Sequence, residues 1–92
     1  MNKPTELQFN LMSKIIEDEY TEYNGNALKV IEDGTHGASC TWAFQILETA
    51  QDKGTFTSLL NADLAWHEGN GKESTVGLTE SGLEIMKEFY NK

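Results

Sequence analysis

The sequence predicts an α+β fold in which helices are followed by a β-hairpin and then by a closing helix. Three observations carry this. Apolar residues recur at helical spacing near the start of the chain, alternation replaces that spacing around Gly69-Asn70-Gly71, and helical spacing returns after Thr79. With 92 residues, 38% of them apolar and 24% charged, the chain has the size and composition of one globular domain spanning 1–92.

Thr5-Glu6-Leu7-Gln8 has the form of a capping box, a hydroxyl at the helix start with Gln three residues on. Behind it, Leu7, Leu11 and Ile15 make one stripe and Met12, Ile16 and Tyr20 a second, together a wide apolar face. This helix is expected to reach Tyr23, where Asn24-Gly25-Asn26 signals a turn. Residues 26–39 fit a short helix or a strand equally, and 33–37 read as a loop. A second helix is expected from Ser39 or Thr41, with Trp42, Ile46 and Ala50 on one face and Ala43 and Leu47 beside them. Asp52-Lys53-Gly54 should interrupt it. A third helix, 55–64, should bury Phe56, Leu59, Leu60 and Leu64. Residues 64–68 then read as a strand, 69–72 as a hairpin turn and 74–78 as the returning strand. Thr79 caps the last helix, and Leu83, Met86 and Phe89 or Tyr90 form its stripe. Two helices joined by a short turn and followed by a hairpin give the outline of a winged helix-turn-helix.

Charge is the most informative feature of the composition. Seven lysines oppose fifteen carboxylates for a formal −8, and there is no arginine. The excess is spread along the chain: three lysines against seven acids in 1–39, two against five in 40–79, two against three in 80–92. A duplex-binding protein draws affinity from neutralising phosphates, and this field repels them. No apolar run has the roughly 20 residues that cross a bilayer, and no signal-peptide pattern follows Met1, so no membrane partner and a cytoplasmic location are expected. Cys40 is the only cysteine, which excludes an intrachain disulfide.

Lys53-Gly54, the run Ser58-Leu59-Leu60-Asn61-Ala62-Asp63-Leu64 and the run Val76-Gly77-Leu78-Thr79-Glu80-Ser81-Gly82 resemble the C-terminal half of winged-helix domains. The stretches Glu6-Leu7-Gln8 and Glu19-Tyr20-Thr21 are similar to small winged helix-turn-helix proteins of phages and other mobile elements. The resemblance implies double-stranded DNA as ligand, with helix 55–64 in the major groove and the hairpin tip along the backbone or minor groove. Lys53, Thr55, Thr57, Ser58, Asn61 and Lys72 would then carry the contacts, Asn61 as a reader of adenine. The would-be recognition helix itself contains no cation, and Asp52, Asp63, Glu68 and Glu73 flank the interface.

The charge favours another partner. Glu17, Asp18, Glu19 and Glu22 are the densest acidic group, and such a face could occupy a basic site on another protein in place of nucleic-acid phosphate. Trp66, beside the wing, is an anchor candidate for the same partner, although Trp66 and Trp42 are also natural core residues. Apolar faces on the first and last helices leave room for a homodimer. His36, Cys40 and His67 fall short of the four paired ligands of a structural zinc site, so no metal or cofactor is expected. No phosphate loop, Gly-x-Ser-x-Gly or His-Glu-x-x-His is present, and no enzyme is expected. The reading is a non-catalytic acidic winged helix that binds a basic protein, a DNA mimic in its sharpest form, with a DNA-binding regulator as the alternative.

Overall fold

A computed structural model describes residues 4–18, 29, 31 and 41–90. Helix α1 spans Glu6–Glu17, strand β1 Thr41–Trp42, the one-turn helix α2 Ala43–Ile46 and helix α3 Ala50–Asn61. Strand β2 (Ala65–Glu68), a 3-10 turn (Gly71–Glu73), strand β3 (Thr75–Leu78) and helix α4 (Glu80–Tyr90) follow. The described chain is therefore α+β, four helices with a three-stranded antiparallel sheet in the order β1-β3-β2.

Helix α1 starts where its capping box says it should. Gln8 N–H donates to Thr5 Oγ1 at 3.2 Å, and Thr5 N–H donates to Gln8 Oε1 at 2.9 Å. Leu11, Met12, Ile15 and Ile16 are buried, while Leu7 is 50% exposed. Burying such a side chain fully stabilises by about 1.5–3 kcal/mol, so four of them hold the helix on the core without Leu7. The helix stops at Glu17 rather than running on toward Tyr23, because Asp18 is extended (ψ 136°) and accepts a 2.9 Å bond from Thr41 Oγ1. Three successive acids at the negative end of a helix also oppose its continuation. Residues 19–28, 30 and 32–40, including the 24–26 turn and most of the 26–39 segment, lie outside the described residues; within that segment Lys29 and Ile31 are helical, and Ile31 is buried.

The expected helix from Ser39 or Thr41 to Ala50 is replaced by three pieces. Thr41 and Trp42 pair with Val76 and Thr75, so the chain enters extended. Ala43 N–H donates to Ser74 O at 3.0 Å, and a single turn follows. Lys14 Nζ, from α1, donates to Ile46 O at 3.2 Å and so caps that turn. Trp42, Ile46 and Ala50 consequently do not share a face: only Ile46 is buried.

The break lies at 47–49, and Asp52-Lys53-Gly54 sits inside α3 rather than interrupting it. Thr49 and Asp52 form a second capping box, Asp52 N–H to Thr49 Oγ1 at 3.0 Å and Thr49 N–H to Asp52 Oδ2 at 3.1 Å. Phe56 and Leu59 are buried, but Leu60, expected inside, is 39% exposed. Helix α3 ends at Asn61, short of Leu64. Leu64 N–H bonds to Leu59 O and Asp63 N–H to Leu60 O, with Asp63 left-handed at φ 60°, which makes a Schellman stop.

The hairpin aligns Ala65 with Leu78 and Glu68 with Thr75. Thr79 anchors the entry to α4: its hydroxyl accepts from Gly82 N–H at 3.2 Å and donates to Asp63 O at 2.6 Å. Gly82 is required there, since a Cβ would run into Leu64 O. The core joins α1 residues to Ile31, Ile46, Phe56, Leu59, Leu64, Val76, Leu78, Leu83 and Met86. Of the two candidates for the end of the last stripe, Tyr90 is half-buried, whereas Phe89 is 41% exposed and stacks on Phe9 at 4.9 Å.

Candidate functional site

Of the acidic group, the two described members, Glu17 and Asp18, do not share a helical face. Glu17 is the last residue of α1 and Asp18 lies beyond it, bonded to Thr41. The two have different neighbours, because Glu17 stands beside the Tyr90 phenol on α4. Burial pushes that phenol's pKa up, Ser13 opposes the rise, and the Glu17 charge adds to it. Glu19 and Glu22 lie outside the described residues.

The DNA-reading group is likewise divided. Lys53, Thr57 and Asn61 lie on the exposed side of α3, whereas Ser58 and Thr55 are half-buried. Ser58 Oγ accepts from Gln8 Nε2 at 2.9 Å and donates to Thr55 O at 2.6 Å, so its hydroxyl is spent on α1 and on its own helix. Thr55 lines a cleft between α1 and α3, together with Leu7, Asn10, Lys14 and Asp52. Thr57 Oγ1 donates to Lys53 O at 3.0 Å. Lys72 belongs to the 3-10 turn at the hairpin tip. The outward face of α3 is thus small and nearly neutral, with Ala50, Lys53, Gly54, Thr57, Leu60 and Asn61, and Lys53 is its one cation.

Lys14 is committed elsewhere. Its ammonium lies 3.5 Å from Glu48 Oε2 and 3.9 Å from Asp52 Oδ2, besides capping α2. Burial works to raise the Asp52 carboxyl pKa, but the Thr49 N–H and hydroxyl, the Lys14 charge and the Glu48 backbone outweigh it and hold the group below 3.8.

Searches of protein-family models, curated proteins and solved structures return no match to this chain.

The two tryptophans share the sheet face that points away from the core. Trp66 opposes Gly77, and its indole lies across that glycine, where a Cβ would overlap the ring. It is half-buried, and its N–H is enclosed without an acceptor among the described residues, so it is less open than a free-standing anchor. Trp42 is 40% exposed, and the neighbouring Phe44 is 55% exposed. Sequence reasoning missed both: Trp42 was expected on a helical core face, and Phe44 drew no expectation. The alternation that would have marked Trp42 as a strand residue is only two residues long. Of the three residues considered as metal ligands, His67 is exposed on β2, and His36 and Cys40 lie outside the described residues. Among the described residues no three His, Cys, Asp or Glu side chains converge, and no helix is long and apolar enough to cross a membrane.

Proposed function

We propose that this chain is a non-catalytic winged-helix module that binds a basic surface of a protein partner, acting on a nucleic-acid-handling machine as a viral or mobile-element DNA mimic would. The order of helix, strand, short helix, helix, hairpin and helix supports the winged-helix reading. The observation that carries the choice of partner is the outward face of α3, one lysine among small and neutral residues, on a chain of net charge −8. A duplex-binding helix needs several cations to displace counterions. A basic protein, in contrast, is drawn in by the same field.

The DNA-binding regulator remains the second reading, supported by the shared exposure of Lys53, Thr57 and Asn61 on α3. Fluorescence anisotropy of labelled random-sequence duplex separates the two. The expected result is no binding at tens of micromolar protein in about 50 mM salt. Binding that is strong there and falls steeply by about 200 mM would overturn the proposal. Under that outcome the double variant Lys53→Glu with Lys72→Glu abolishes binding.

A further inference from the structure

We infer that the outer face of the sheet, centred on Trp42 and Phe44, is the docking site for an arginine-bearing segment of the partner, an inference that rests on the basic-partner reading and assigns it to named residues. Opposed residues in antiparallel strands share a face. Trp42 opposes Thr75 and Thr75 opposes Glu68, so these three make one row across the sheet, on the side away from buried Thr41 and Val76. Phe44 extends the row, its ring centroid 6.3 Å from that of Trp42 and tilted by 32°. The bond from Ala43 N–H to Ser74 O holds α2 beside the 3-10 turn that carries exposed Glu73. Two open aromatic rings therefore share this side of the sheet with the exposed Glu68, and the adjoining 3-10 turn carries a second exposed carboxylate, Glu73.

The chemistry of this patch selects its occupant. A guanidinium is weakly hydrated, lies flat on an aromatic ring and keeps its edge donors free for carboxylates. Two strand spacings separate Trp42 from Glu68, about 10 Å, which lets one basic side chain stack while a second meets the carboxylate. A purely apolar partner would desolvate Glu68 and Glu73 without pairing them. Nucleic acid would bring phosphate against the same carboxylates, and a second copy would bring acid against acid.

The probe is a fluorescein-labelled nona-arginine peptide, titrated at low salt and read by anisotropy, with nona-lysine in parallel. We expect nona-arginine to bind more tightly than nona-lysine, and Trp42→Ala and Phe44→Ala each to weaken it by about three- to tenfold. Both rings are exposed, and an unchanged thermal midpoint checks that each variant is folded. Glu68→Gln with Glu73→Gln should weaken binding more than Glu84→Gln with Glu88→Gln, the same change of charge on the exposed side of α4. Tight binding that ignores both aromatic substitutions, or that falls equally with the two glutamine pairs, overturns this site and leaves the basic-partner reading standing. Failure of both peptides to bind at tens of micromolar overturns the reading and the site together.

Discussion

Two glycines that look alike in the sequence have opposite consequences. Gly54 lies within α3 with nothing within 4 Å of the position a Cβ would take. Its backbone freedom is lost on folding with no steric return, so Gly54→Ala should stabilise by about 0.5–1 kcal/mol, read as a thermal midpoint a few degrees higher. Gly77 is the reverse case. The Trp66 indole occupies its side-chain space, and Gly77→Ala forces the ring off the sheet. The expected cost is about 1–3 kcal/mol, with a red shift of Trp66 emission measured in a Trp42→Phe background. A destabilised variant with unshifted emission would show that the indole does not rest on Gly77.

Helix α3 shows how a local signal can be outvoted by another. Gly54 marks a break by propensity, at a cost of about 1 kcal/mol against Ala. The Thr49–Asp52 box, worth a similar amount, and the burial of Phe56 and Leu59 outweigh it. The Thr5–Gln8 box, the hairpin around Gly69–Lys72 and the Thr79 entry were legible because each depends on residues close in sequence. The end of α1 and the whole of β1 were not, because Asp18 answers to Thr41 and Thr41 to Val76 across the fold. The Asp52 box also makes a pH prediction. A carboxyl whose folded pKa lies below its unfolded 3.8 contributes stability that is fully present above that value and is lost as pH falls through the folded one. Melts from pH 6 down to about pH 3 should therefore show a smaller loss for Asp52→Asn than for the parent. Equal slopes would mean that Lys14 and Thr49 do not hold the charge.

At the scale of the molecule, fifteen carboxylates against seven lysines leave self-repulsion that the fold has to overcome. Raising salt from about 10 to 200 mM shortens the screening length from about 30 Å to below 10 Å and should raise the thermal midpoint. A midpoint that falls would imply that ion pairs such as Lys14 with Glu48 and Asp52 outweigh the repulsion. Net charge was readable from composition alone, and so was the scarcity of cations around α3. The aromatic face was not, because it exists only once register places Trp42, Thr75 and Glu68 in a row. That register has one further consequence. β3 is the central strand, and its neighbours β1 and β2 do not pair with each other. Both precede it in the chain, so during synthesis neither has its partner until Thr75–Leu78 has left the ribosome. The sheet then closes late, after α1, α2 and α3 have emerged and just before α4, whose Leu83 and Met86 complete the core.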